Sequence, residues 1–229
     1  MARPTLSPES IASRREEILK AAMQVLEANG STSAVTLRAV AKVLNWSYST
    51  TYRYYKSKEE LLVALRTLAF RWMQEELDNA VAGAGSEIEG IERLTHAFIN
   101  AGLRRPDLYQ LMFFELTPAE ATELQGELEI AKRDCLDVCT QAIVRAQAAG
   151  ELNASADPLT TAHVFWVSAH GTVSLQLANQ LIMGRDLQEV IHSMINTVFS
   201  GLQTPGECSE YFLRHSPAEQ PTAKVEATQ

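Results

Sequence analysis

The chain has 229 residues, 46% of them hydrophobic, and carries 20 Lys and Arg against 28 Asp and Glu for a net charge of −8. That is enough apolar material for a substantial core in one composite domain or two small ones. Three cysteines, Cys135, Cys139 and Cys208, exclude a disulfide framework, and no apolar run is long enough to span a bilayer.

Apolar residues recur at spacings of three and four throughout, with only 11 Gly and 8 Pro, so the fold class read from the sequence is all-α. Met1 to Leu6 reads as a loose arm carrying Arg3. Ser7-Pro8 supplies an N-cap with Pro at N1, and a first helix runs through Ile11, Ile18, Ala22, Val25 and Leu26 to Asn29-Gly30. Arg14 and Arg15 on it read as a solvated face.

Thr36 caps a short amphipathic helix bearing Leu37, Val40, Ala41 and Leu44. Asn45 then supplies the left-handed conformation of a sharp turn, and Ser47 caps a second helix from Tyr48 to Tyr55. On that helix Thr51 and Tyr55 share one face. Ser49 and Arg53 lie opposite, flanked by Thr50, Tyr52 and Tyr54, so the outer face is hydroxyls, phenols and one guanidinium. Such groups suit phosphate oxygens and base edges. The acidity of the chain does not argue against DNA, because residues 1–60 hold nine Lys and Arg against six Asp and Glu, a net +3 that leaves −11 for the rest.

Ser57-Lys58-Glu59-Glu60 reads as a capping box opening a long helix through Leu61, Leu65, Leu68, Trp72 and Leu77 to the break at Gly83-Ala84-Gly85. Further helices are expected over Glu87 to Leu103, Pro106 to Leu116, about Ala119 to Ala149, and Leu159 to Leu181 after Asp157-Pro158. A last amphipathic one follows Met183-Gly184 and reaches Leu202. Val164, Phe165, Trp166 and Val167 make the penultimate helix apolar all round, and Gly171 within it implies close approach of another backbone. Beyond Thr204-Pro205-Gly206 the composition is that of a mostly disordered tail, with Tyr211-Phe212-Leu213 as a segment able to dock.

The stretch from Asn45 to Leu61 resembles the reading helix of the tetracycline-repressor (TetR) family, G-V-S-x-G-x-L-Y-x-H-F-x-x-K-E-x-L. Ser47, Tyr52, Lys58, Glu59 and Leu61 match and Tyr55 is near, while Asn45, Ser49, Thr51 and Tyr54 depart. Glu17-Ile18-Leu19-Lys20-Ala21-Ala22 is similar to the family's E-x-I-L-x-A-A, and Trp166-x-x-x-His170-Gly171 to the Trp-His-Gly signature of one of its ligand-domain subgroups.

The resemblance implies a helix-turn-helix DNA-binding domain over residues 1–60 and a helical ligand-binding and dimerisation domain over 61–203, followed by the tail, 204–229. It implies a homodimeric regulator, in most such proteins a repressor, that binds a pseudo-palindromic double-stranded DNA operator and is released by a small effector. Thr36, Arg38, Ser47, Tyr48, Ser49, Thr50, Tyr52, Arg53, Tyr54 and Lys58 are the candidate DNA-binding residues, with Arg38 matching a column able to reach a base.

Phe98, Tyr109, Met112, Phe113, His163 and Trp166 offer aromatic walls with few polar groups, the lining of a small-molecule pocket. No Arg or Lys cluster accompanies them in sequence, so a neutral or weakly polar hydrophobic effector is expected. Val190, Met194, Ile195, Val198 and Leu202 form an apolar stripe suited to the dimer interface. The Cys135 and Cys139 pair, with His163 and His170, has no third ligand at a recognised spacing, so no metal and no cofactor is expected, though a thiol redox sensor is an alternative. No phosphate loop, nucleophile elbow or strand-helix alternation marks an enzyme, and a helical adaptor leaves the hydroxyl-rich helix unexplained. With no signal peptide and no membrane span, a cytoplasmic location is expected.

Overall fold

A computed structural model describes residues 7–113 and 123–203. The described residues form helices and turns with no strand. Helices α1 (Pro8–Asn29), α2 (Leu37–Val43) and α3 (Tyr48–Tyr52) make an N-terminal head. Helices α4 (Lys58–Val81), α5 (Glu87–Arg104), α6 (Pro106–Phe113), α7 (Glu123–Ala148), α8 (Pro158–Leu177) and α9 (Leu187–Gln203) make the body.

The starts of these helices follow from short polar side chains that satisfy the otherwise orphaned first-turn amides. Ser7 accepts from Ser10 N, Thr36 from Ala39 N, Ser47 from Thr50 N, Ser57 from Glu60 N, Ser86 from Glu89 N and Asp157 from Thr160 N. Each cap contributes about 1 kcal/mol. Ser57 does not complete a capping box in the usual sense. Glu60 reaches back past the cap to accept from Lys56 N instead.

Asn45 takes the left-handed conformation with φ 54, which turns α2 into α3 as the sequence requires. Two helices end earlier than the sequence indicates. α3 stops at Tyr52 because Arg53 N and Tyr54 N bond back to Thr50 O and Thr51 O, a tightened turn that brings Tyr54 and Tyr55 under the head. α8 stops at Leu177 because Asn179 repeats the left-handed turn, also at φ 54. Phe114 to Leu116, Ala119 to Thr122, the arm with Arg3, and the tail with Cys208 and Tyr211-Phe212-Leu213 lie outside the described residues.

α4 belongs to both parts. Its first turns pack on α1, and its later turns pack on α5, α6 and above all α7. The core is continuous along it, from Ile18, Leu26, Val40 and Tyr55 in the head through Leu61, Leu65, Phe70 and Met73 to Ile99, Leu111 and Leu128 in the body. Burying a side chain of this size contributes about 1.5 to 3 kcal/mol. Gly102 is required where α5, α6 and α8 meet, since a methyl there would lie 2.9 Å from the Tyr109 ring and 3.0 Å from Val173. Gly171 is the opposite case. A methyl there would meet nothing within 4 Å, so among the described residues no backbone makes the close approach that the glycine implied.

Arg15 joins the head to the start of α4. Its guanidinium donates to Tyr54 O at 3.3 Å, lies 5.4 Å from the Tyr55 ring centre and stands 4.0 Å from the Glu60 carboxylate. Burial pushes the Tyr55 phenol up to about 12. The solvated-face reading therefore fails for Arg15. Arg14 is also engaged, pairing with Glu17 at 3.0 Å and lying 5.1 Å over Trp46.

Candidate nucleic-acid interface and cavity

The outer surface of the head is set by the short α3 and the α2 residues next to it. Arg38, Ser47, Tyr48, Ser49, Tyr52 and Arg53 are exposed, and Thr36, Thr50 and Lys58 are half-buried. Tyr48 and Tyr52 stand side by side, 48% and 46% exposed, with ring centres 5.9 Å apart. Two phenols this exposed gain little from folding and are available to a partner. Ser47 holds a hydroxyl cluster together, with its Oγ 2.9 Å from Ser49 Oγ and 2.8 Å from Thr50 Oγ1. Thr51 points inward, fully buried, and its hydroxyl donates to Tyr48 O.

Tyr54 does not join this surface. It is 7% exposed within the head core, because α3 ends before it and the tight turn rotates it inward. Lys56, absent from the residues that the sequence singles out, is exposed beside Tyr52. Its ammonium donates to Tyr52 O at 3.3 Å and Arg53 O at 2.9 Å, so it neutralises the carbonyl end of α3 and adds a cation to the face. Lys58 donates from Nζ to Ser33 O at 3.0 Å, which ties the first turn of α4 to the loop before α2.

In the body a cavity of about 520 Å³ opens between α4, α5, α6, α7 and α8. Phe98, Met112, Phe113 and Trp166 line it, together with Phe70, Leu94 and Phe165. Phe113 is the hub of its aromatic wall, with ring centres 6.0 Å from Phe70, 6.2 Å from Phe98 and 5.9 Å from Trp166. Two residues assigned to the lining are elsewhere. His163 is exposed on α8, its Nδ1 2.8 Å from Leu159 O, because its position on the helix faces away from the core.

Tyr109 is buried behind the wall. Its hydroxyl lies 2.6 Å from Nδ1 of His170, 3.1 Å from His170 O and 3.1 Å from Ser174 Oγ. Burial pushes the phenol up to about 12 and the His170 imidazole down. Here the Trp-His-Gly residues acquire a structural role: His170 locks α6 to α8.

The absence of Lys and Arg around these residues does not hold in three dimensions. Arg66, Lys132 and Arg133 line the cavity beside Glu129. The Arg66 Nε donates to Met112 O at 2.7 Å, and Lys132 pairs with Glu129 at 2.6 Å. A lone arginine in the apolar run from Leu61 to Phe70 was the signal in the sequence.

Cys135 and Cys139 also line the cavity, and burial pushes both thiols up to about 12. They present protonated, weakly polar surface. Among the described residues no group of three or more His, Cys, Asp or Glu is placed to hold a metal ion.

The apolar stripe is divided differently from the sequence reading. Ile195 is 5% exposed, facing inward with Ile191 and Phe199, so it belongs to the core. Val190, Met194, Val198 and Leu202 are half-buried. A further exposed apolar face lies on α8, where Val164, Val167 and Leu175 are 45%, 65% and 47% exposed and share a face with Gly171.

Two family patterns match the chain. One, described as "Bacterial regulatory proteins, tetR family", covers residues 18–65, and the other, "Tetracyclin repressor-like, C-terminal domain", covers residues 91–198. The chain is 29% identical over 124 residues to the HTH-type transcriptional repressor KstR of Mycolicibacterium smegmatis, a match over 54% of this chain and 60% of that protein.

In fold it is similar to a protein of unknown function from Rhodococcus sp. RHA1, with TM-score 0.72, 24% identity, and 83% and 95% of the two chains covered. It is likewise similar to the regulator FadR of Bacillus subtilis in complex with stearoyl-CoA, with TM-score 0.64, 18% identity, and 82% and 98% covered.

Proposed function

The chain belongs to the tetR family of bacterial regulatory proteins, and we propose that it is a homodimeric, one-component transcriptional repressor that leaves its operator when a small molecule fills the cavity. The observation that carries this reading is the course of α4. It begins at Lys58 beside the exposed face of the head, and eight residues on, at Arg66, it lines the cavity. A ligand that favours one setting of α4 therefore biases the placing of the head, and a typical coupling of about 1 to 3 kcal/mol lowers operator affinity roughly 5- to 150-fold.

In this reading residues 1–60 are the DNA-reading unit and 61–203 the effector and dimer unit. Arg38, Tyr48, Ser49 and Arg53 face base edges, while Tyr52, Lys56 and Lys58 hold phosphates. Phe98, Met112, Phe113 and Trp166 surround the effector. The fold accommodates such a ligand in Bacillus subtilis FadR, which binds stearoyl-CoA. A second copy supplies the approach to Gly171, across a face made by Val164, Val167 and Leu175 with Val190, Met194 and Val198. No helix of the described residues is long and apolar enough to cross a membrane, and the protein acts in the compartment that holds the DNA.

The test is an operator selection from random duplex DNA with the purified protein. A pseudo-palindromic sequence with half-sites about one helical turn apart is the expected product. Recovery of no sequence above the random pool removes the reading.

A further inference from the structure

One end of the cavity does not match its apolar walls. Arg66 on α4 and Lys132 on α7 both act there on Glu129, the single acid of the lining, and Arg133 lines the same cavity. Arg66 is half-buried, and desolvation lowers its pKa against the opposing field of Glu129. Only its Nε is spent, on Met112 O, and among the described residues no acceptor engages the two Nη groups. The partner of Lys132 is half in water, with 53% of the Glu129 side chain exposed, so that ion pair exchanges readily for a stronger one. A guanidinium presents a planar fork that fits carboxylate and phosphate oxygens, and it is worth most where water is scarce.

We infer that this end of the cavity recognises an anion. The effector is then an amphiphile whose apolar chain lies along Phe70, Leu94, Phe98 and Trp166 and whose anionic head rests on Arg66, Lys132 and Arg133. The inference deepens the effector reading proposed above and rests on it. It also gives the coupling a handle, because Arg66 stands about two turns along α4 from Lys58. An oxygen drawn to its Nη groups pulls on the helix that carries the head, and on the C-terminal end of α6 through Met112.

The head group has two chemical sources, a free carboxylate or the phosphates of a coenzyme A ester. Palmitate, palmitoyl-CoA and cetyl alcohol are titrated into the operator-free full-length protein by calorimetry. At least one of the two anions should bind about tenfold or more tighter than the alcohol, which is about 1.4 kcal/mol, and which of them does so identifies the source. The advantage should shrink at high salt and should fall below about threefold in Arg66→Gln and in the Lys132→Gln/Arg133→Gln double variant.

Since Arg66→Gln also breaks the bond to Met112, the double variant, whose side chains lie nearer solvent, carries the test if the first does not fold. Binding of the alcohol as tightly as both anions, binding of none of the three, or an advantage that survives the substitutions overturns the inference. Operator selection by the unliganded protein is scored separately. Anion binding without operator selection removes the regulator reading and leaves the anion site standing.

Discussion

The Tyr109 hydroxyl sits 2.6 Å from Nδ1 of His170, and this contact fastens α6, which carries Met112 and Phe113 of the cavity wall, to α8, which carries Trp166. Burial lowers the His170 pKa below its ordinary value near 6.5. As pH falls through that ordinary value, the unfolded chain takes up a proton that the folded chain still refuses. Stability therefore declines with acidification until the lower folded value is passed. Chemical denaturation at pH 7.5, 6.5 and 5.5 should show a steeper loss in the wild type than in His170→Gln. An equal or shallower loss in the wild type contradicts the assignment. Tyr109→Phe, which leaves His170 short of a partner, should cost about 1 to 3 kcal/mol at neutral pH.

On the head, Arg38 and Lys58 should behave differently. Arg38→Ala should cost about 1 to 3 kcal/mol at the selected operator and relax specificity at one position. Lys58→Ala should weaken all sequences alike and reduce the slope of affinity against salt by about one. The measurement is a salt titration of binding to operator and random duplex. Equal losses on both DNAs for Arg38→Ala would assign that residue to phosphate.

The two sides of the dimer proposal part at Val167 and Ile195. Val167 is 65% exposed and Ile195 is 5% exposed. Val167→Glu should give folded monomers of unchanged helicity that bind operator weakly, because each head then meets its half-site alone. Ile195→Glu places a charge in the core and should unfold the body. Sedimentation and circular dichroism separate these outcomes, and an intact dimer in Val167→Glu rejects the α8 face.

The thiols bear on the redox alternative. With Cys135 and Cys139 pushed up to about 12 by burial, far less of either thiol is ionised at pH 8 than of a free cysteine. Iodoacetamide should leave both unmodified in the folded protein, as read by mass spectrometry, and should label them in denaturant. Rapid labelling of either one in the folded state, with loss of operator binding, would revive thiol sensing.

What was legible in the sequence was local. Ser7, Thr36, Ser47, Ser57 and Asp157 mark helix starts because a cap is a matter of three residues, and Asn45 marks its turn for the same reason. Asn179 carries the same signal, but the apolar residues Leu181 and Ile182 beyond it continue the helical pattern and mask it. The polar end of the cavity was hidden, since Arg66 and Lys132 are far apart in the chain and meet only once α4 packs on α7. The exposed side of α8 was hidden differently. A helix apolar all round gives no periodicity to say which side faces its own core, and only the packing of Phe165, Ala169 and Val173 decides it.

α4 has 24 residues and so spans about 36 Å. As a lever arm of that length, it converts a tilt of about 5° at its far end into a shift of about 3 Å at Lys58, close to the rise of one base pair, about 3.4 Å. In a two-fold pair the heads move in opposite senses, so their separation changes by about 6 Å against half-site centres about 34 Å apart. A tilt of α4 small enough to leave the other helices of the body in place is therefore large enough to put the second head nearly two base pairs out of step.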